Sequence, residues 1–170
     1  MNASSLLALL LCAISSSHLE AAEEVAGDRF PLLARLTPPE AALPRGCCIP
    51  KGRPPVKGLQ NSSITTNAQA FLFVDRQSTE LLATNIQAIY YAVYREKGEL
   101  GIFGWAFKTE EAAKQARDKL LEKHGDRFRV WLGQKSVLCL WRDVGTTDAC
   151  FQHFKDFLDR QVDKAARTTN

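Results

Sequence analysis

The sequence lacks any hydrophobic run long enough to cross a lipid bilayer. Its longest apolar stretch is residues 6–14, whereas a membrane-spanning helix needs about 20 such residues. It also lacks CxxC, HExxH and GxSxG motifs and the glycine patterns that bind nucleotides. We therefore predict no metal site, no cofactor and no transmembrane span, and none of the common hydrolase or nucleotide-binding classes is indicated.

The short apolar stretch has a different meaning at the start of the chain. Residues 6–14 are followed by small residues, including Ser15 to Ser17 and Ala21-Ala22. This order is typical of a cleavable secretory signal, although Lys and Arg are absent from its first residues. We predict a signal peptide over residues 1–21, with cleavage after Ser17, Ala21 or Ala22. The predicted location is therefore secreted or periplasmic.

The net charge and the cysteines indicate which partners and which covalent cross-links to expect. The net charge of +3 is too small to indicate a nucleic-acid partner. Of the five cysteines, Cys12 would leave with the signal, and Cys47, Cys48, Cys139 and Cys150 would remain. An even number of cysteines in an exported protein favours disulfides. Four cysteines allow three connectivities, and the spacing does not choose among them.

Proline divides the chain into two zones. All seven prolines lie between residues 31 and 55, which predicts an extended, turn-rich segment because proline fixes φ and removes a backbone donor. We assign residues 22–66 to a proline-rich arm, residues 67–164 to one α+β domain and residues 165–170 to a tail. Within the domain, residues 68–87 favour a helix, although a short strand over 70–74 is the alternative.

The rest of the domain repeats one pattern, strand–strand–helix. Strands are predicted over 88–94 and 101–107, with Lys97-Gly98 as a two-residue turn between them. A helix capped by Thr109 follows to about residue 123, where Gly125 stops it. Two more strands, 128–132 and 136–142, flank a turn at residues 133–135. A second helix, capped by Thr147, runs to about residue 164.

These elements predict an antiparallel sheet of about four strands with both helices on one face. The predicted register makes both faces of the sheet apolar, so the second face also needs cover. We expect the N-terminal arm to lie there, held by a disulfide from Cys139 to Cys47 or Cys48. A second copy of the chain, forming a homodimer through the open face, or a ligand would serve the same purpose.

Two groups of side chains are candidate sites. An aromatic group with nearby arginines could stack a sugar or a peptide, and its members are Tyr90, Tyr94, Trp105, Arg127, Arg129, Trp131 and Trp141. Cys150 and His153 lie three residues apart on one predicted helix, which suits a thiol–imidazole pair. The adjacent Cys47-Cys48 is a second candidate redox site. Asn61-Ser62-Ser63 is a glycosylation sequon in a polar loop.

The function predicted from these features is a small exported module without enzymatic activity. It would bind a protein or a cell-envelope component, or have a structural role. One alternative is a thiol enzyme or redox protein that uses Cys150 and His153 or Cys47 and Cys48. Another alternative is a small-ligand carrier that uses the aromatic face of the sheet.

Overall fold

The structure is a computed structural model, and it describes residues 28–50, 59–67, 70, 85–124 and 128–167. The predicted signal peptide, nearly all of the predicted helix over residues 68–87 and the stop residue Gly125 lie outside the described residues. Two short 3₁₀ helices come first, at Leu33–Arg35 and Glu40–Ala42. The strands and helices that follow are β1 (Ser63–Thr65), β2 (Ile86–Arg95), β3 (Glu99–Phe107), α1 (Glu110–His124), β4 (Phe128–Gly133), β5 (Ser136–Arg142) and α2 (Asp148–Arg167).

The strands form one open antiparallel sheet in the order β1-β2-β3-β5-β4. The α+β class and the repeated strand–strand–helix order are therefore confirmed. The sheet has five strands because the short strand β1, predicted as part of the arm, pairs with β2. Asn61 extends this pairing, since its side-chain amide exchanges hydrogen bonds of 2.9 and 2.6 Å with the backbone of Val93.

Both helices begin where their caps were predicted. The Thr109 hydroxyl accepts a hydrogen bond of 3.2 Å from the Ala112 amide, and the Thr147 hydroxyl accepts one of 3.2 Å from the Cys150 amide. Each bond satisfies a backbone donor that the first turn of a helix leaves without a partner. The local sequence was sufficient to predict these starts because the cap and its donor lie three residues apart.

The register of the first hairpin differs from the prediction by one residue. A two-residue turn at Lys97-Gly98 would pair Glu96 with Glu99, whereas the structure pairs Arg95 with Glu99 and leaves Glu96 in the loop. The Glu96 carboxylate accepts hydrogen bonds of 3.2 and 3.0 Å from the amide and hydroxyl of Thr147. The longer loop therefore allows Glu96 to contact Thr147, which is distant in sequence. Because the register differs by one residue, every side chain of β3 lies on the opposite face from the one predicted.

The second hairpin is tighter than predicted. Gly133 pairs with Ser136, so the loop contains only Gln134 and Lys135, and Gln134 has a φ of 51°. As a consequence Val130 pairs with Cys139, and the predicted grouping of Val130 with Leu138 and Leu140 is wrong. A positive φ suits the two-residue turns that match the twist of antiparallel strands.

The corrected registers create two separate cores, one on each face of the sheet. The α2-side core consists of Phe30, Leu32, Leu33, Leu36, Ala88, Tyr90, Ala92, Tyr94, Leu100, Ile102, Ala106, Leu138, Leu140, Cys150, Phe154, Phe157 and Leu158. The α1-side core consists of Leu59, Ala70, Ile86, Ile89, Phe103, Trp105, Phe107, Ala112, Ala113, Ala116, Leu120, Val137 and Cys139. The helices therefore lie on opposite faces, and their predicted placement on one face is wrong. Because both faces are apolar, one helix covers each.

The N-terminal segment, residues 28–50, completes the α2-side core. Leu33 and Leu36 are fully buried and pack over Gly104 of β3, where an added Cβ would lie 2.7 Å from Leu33 and 2.9 Å from Leu36. The hydroxyl groups of Thr37 and Tyr90 are 2.9 Å apart and share a hydrogen bond. The segment thus packs on the sheet beside α2, and the two together cover this face.

Candidate functional site

The aromatic candidates do not meet on one surface. Tyr90 and Tyr94 belong to the α2-side core, whereas Trp105 belongs to the α1-side core and Trp141 packs against that core. Trp131 faces α2, where its indole N–H donates a 2.7 Å hydrogen bond to Asp159. Arg129 is exposed, and Arg127 lies outside the described residues. The sheet therefore separates Tyr90, Tyr94 and Trp131 on one side from Trp105 and Trp141 on the other.

Tyr90 illustrates the structural role that these aromatic groups have. Its ring is 1 % exposed, and burial raises the pKa of its hydroxyl group well above the ordinary value. The hydroxyl remains neutral and shares its hydrogen bond with Thr37. Tyr90 therefore connects the N-terminal segment to β2, and a buried tyrosine whose hydroxyl has a partner fits this role well.

The four described cysteines are all free thiols and lie in different environments. Cys139 is fully buried in the α1-side core, and Cys150 is buried in the α2-side core. Cys47 packs against the α2-side core, while Cys48 is exposed. The predicted staple from Cys139 to Cys47 or Cys48 is not compatible with this arrangement, because the sheet lies between Cys139 and the N-terminal segment.

Cys47 and Cys150 do come together, beside Glu96. Burial, and after it the neighbouring Cys150 thiol, raises the pKa of Cys47 to about 12. Burial and the Glu96 carboxylate raise the pKa of Cys150 as well. Thiols in such surroundings remain protonated near neutral pH, whereas catalytic cysteines have lowered pKa values and positively charged neighbours. This pair is therefore poorly suited to nucleophilic catalysis.

His153 contacts an aromatic ring in this arrangement. Its ring packs edge-on against Phe154, with the ring centroids 5.9 Å apart, whereas the Cys150 thiol interacts with Cys47 and Glu96. Among the residues that the structure describes, no three His, Cys, Asp or Glu side chains are grouped so that they could hold a metal ion. In the same part of the chain, no helix has both the length and the hydropathy that a membrane span requires.

A cleft of about 630 Å³ lies at the other end of the α2-side core. The start of the N-terminal segment forms one wall, the β4–β5 turn forms a second, and the last turns of α2 form the third. Apolar side chains predominate in the lining, among them Phe30, Leu132 and Val162. A volume of this size is typical of sites that take small molecules or the end of a chain.

Positive charge surrounds this cleft. Arg29, Arg35 and Lys135 line it together with one acidic residue, Glu110. All four of these side chains are exposed, and the Arg29 guanidinium lies over the Phe30 ring, 5.3 Å from its centroid. The cleft thus combines an apolar interior with a basic rim, which favours a ligand that carries an apolar part and a negative charge.

Sequence reasoning missed the cleft because its walls come from distant parts of the chain. Arg29 and Arg35 precede the sheet, Lys135 lies in a hairpin turn, and Val162 is near the end of α2. Each of these residues has an ordinary solvent-exposed or core pattern in its own segment. Only the packing of the N-terminal segment beside α2 brings them to one place.

Comparisons of the chain with protein-family models, with curated proteins and with solved structures gave no match.

Proposed function

We propose that this chain is an exported, non-enzymatic binding module, and that the cleft between the N-terminal segment, the β4–β5 turn and α2 holds its ligand. The ligand is an apolar chain that ends in an anionic group, of the kind that lipid components of a cell envelope carry. The observation that carries this proposal is the basic rim around an apolar cleft of about 630 Å³.

The rim supports recognition of an anion in particular. Arg35 and Lys135 belong to different parts of the chain and both line the cleft, so both charges attract an anionic group that is bound there. A charge-assisted hydrogen bond is roughly twice as strong as a neutral one. The apolar walls would bury the chain, and burial contributes about 25 cal/mol for each Å² removed from water.

The thiols support the non-enzymatic part of the proposal. The pKa of Cys139 is raised well above its ordinary value by burial, and the pKa values of Cys47 and Cys150 are raised as well. Catalytic cysteines are activated by the opposite shift, which keeps the thiolate populated near neutral pH. These shifts weigh against the thiol-enzyme alternative.

Ligand binding can be tested with a fluorescent anionic probe and two displacers. Anilinonaphthalene sulfonate is titrated onto the full chain and is then displaced with decanoic acid or with decanol. We expect decanoic acid to displace the probe at a concentration roughly tenfold lower than decanol, because one charged contact of about 1.4 kcal/mol changes affinity tenfold. Displacement of the probe at the same concentration by both compounds would contradict recognition of the anionic group.

Variants assign this binding to the cleft. Arg35→Gln and Lys135→Gln should each weaken the binding of decanoic acid about tenfold and leave the binding of decanol unchanged. Lys119→Gln removes the same charge from α1 at a position that does not line the cleft, so it controls for net charge. If Lys119→Gln weakens binding as much as Arg35→Gln does, the cleft is not the binding site.

Export is tested separately by the N-terminus of the recovered protein. The chain is expressed with its own first residues, and the mass of the protein recovered outside the cytosol is measured. We expect a mature chain that begins directly after Ser17, Ala21 or Ala22. A protein that keeps Met1 and remains in the cytosol would overturn this part of the proposal and would leave the binding result intact.

A further inference from the structure

Backbone contacts fix the position of Cys47. Cys48 forms an isolated bridge with Arg95, in which each residue donates its amide to the carbonyl of the other at 2.9 Å. The Cys47 amide donates to the Pro44 carbonyl at 2.9 Å, and Gly46 between them adopts a φ of 85°. The two cysteines are therefore anchored beside the end of β2.

A second set of contacts brings Cys150 to the same place. Glu96, the residue after Arg95, accepts hydrogen bonds from the amide and the hydroxyl of Thr147. Thr147 in turn caps the turn of α2 that contains Cys150. Two neighbouring residues therefore position the two cysteines. Arg95 positions Cys47 by pairing with the backbone of the next residue, Cys48, and Glu96 positions Cys150 by binding the cap residue Thr147.

The result is a pair of neighbouring free thiols. Cys47 packs against the core that contains Cys150, and neither cysteine is in a disulfide. Each thiol also influences the pKa of the other. The other two described cysteines are engaged elsewhere. The exposed Cys48 thiol donates to the Arg95 carbonyl at 3.6 Å, and Cys139 is buried on the opposite face.

We propose that Cys47 and Cys150 are a redox pair that closes into a disulfide and joins the N-terminal segment to α2. The proposal selects one pairing for the four cysteines and leaves Cys48 and Cys139 as thiols. It does not depend on the ligand or the cleft. An oxidising compartment outside the cytosol is where such a bond persists.

A low-molecular-weight disulfide such as glutathione disulfide supplies the oxidant. The partly accessible Cys47 loses its proton and attacks one sulfur of that disulfide, which forms a mixed disulfide and releases one glutathione. Cys150 then loses its proton and attacks the Cys47 sulfur, which releases the second glutathione. Two protein thiols are oxidised to one disulfide, and one glutathione disulfide is reduced to two glutathione molecules.

Peptide mapping tests the pairing directly. The full chain is incubated with glutathione disulfide until the number of free thiols stops falling, is labelled with N-ethylmaleimide in denaturant and is digested with trypsin without reduction. Trypsin separates the relevant peptides by cleaving after Arg45, Lys51, Lys135, Arg142 and Lys155. We expect peptide 46–51 to be linked to peptide 143–155, with Cys139 labelled in peptide 136–142.

Serine variants distinguish Cys47 from its neighbour. Cys48→Ser should keep the link between the two peptides, and Cys47→Ser should lose it while retaining the tryptophan fluorescence of the folded protein. In the wild-type chain and in Cys48→Ser, oxidation should raise the midpoint of urea unfolding, and in Cys47→Ser it should not. A link through Cys139, a Cys47–Cys48 bond or complete labelling of all thiols after oxidation would overturn the proposal.

Discussion

Asp159 is the residue that joins the edge strand β4 to helix α2. It accepts a 2.7 Å hydrogen bond from the Trp131 indole and a 2.8 Å ion-pair contact from Lys155. Burial raises the pKa of this carboxyl group, but the bonds from Lys155 and Trp131 outweigh burial, so the pKa is lowered overall. The charged form is therefore favoured in the folded protein.

This shift predicts how stability depends on pH. A carboxyl group with a lowered folded-state pKa stabilises the fold above its unfolded pKa, and that contribution disappears as the pH falls through the folded-state value. The stability difference between the wild type and Asp159→Asn should be constant near neutral pH and should shrink below pH about 4. Urea unfolding at a series of pH values measures it, with exposed Asp163→Asn as the control. A difference that persists at pH about 2 would contradict this explanation.

Gly101 is required by its neighbour on the next strand. Gly101 pairs directly with Trp141, and a Cβ at position 101 would overlap the Trp141 indole ring. We expect Gly101→Ala to lower the free energy of unfolding by about 1–3 kcal/mol, as is usual for overpacking. In a Trp141→Ala background the same substitution should cost much less. Equal costs in the two backgrounds, measured by urea unfolding, would show that the ring is not the cause.

At the scale of elements, the sequence predicted the starts of both helices and all four strands of the two hairpins. Those signals are local, because a cap acts over three residues and a strand pattern over a few. The predicted registers of both hairpins were wrong by one residue. One residue more or less in a turn moves every side chain of the following strand to the other face. Glu96 shows the physical reason, since its partner Thr147 is far along the chain.

The grouping of the candidate site residues differs from the prediction for the same reason. With the predicted register, Trp105 shares a face with Tyr90 and Tyr94, and Cys139 is paired with the arm. The one-residue slips place Trp105 in the α1-side core and leave Cys150 beside Cys47. A correct list of aromatic and cysteine residues therefore did not give their correct partners.

The contact between Glu96 and Thr147 joins the first hairpin to the start of α2. A carboxylate at a helix N-terminus interacts favourably with the helix dipole and satisfies an unpaired amide. We expect Glu96→Ala to lower the free energy of unfolding by about 1–2 kcal/mol, and Glu96→Gln, which keeps one acceptor, to have a smaller effect. Exposed Glu122→Ala on α1 is the control. If Glu96→Ala is as mild as Glu122→Ala, the carboxylate does not stabilise the helix start.

At the scale of the whole molecule, one sheet supports two cores, so both should unfold together. Leu33 in the N-terminal segment and Leu120 in α1 are each 0 % exposed, on opposite faces. Replacing either by alanine should cost about 2–5 kcal/mol, whereas Leu121→Ala, at a side chain that is 45 % exposed, should cost less than about 0.5 kcal/mol.

Tryptophan fluorescence can report on the α1 side of the sheet alone. Of the three tryptophans, Trp105 lies in the α1-side core and Trp141 packs against it, so Trp131→Phe removes the one on the α2 side. In that background the fluorescence should still change at a lower urea concentration in Leu33→Ala, because strand β3 is shared by the two cores. Circular dichroism should give the same midpoint as fluorescence in every variant, as expected for one cooperative unit. If Leu33→Ala leaves the fluorescence midpoint unchanged, the N-terminal segment is an appendage and the α1-side core is stable without it.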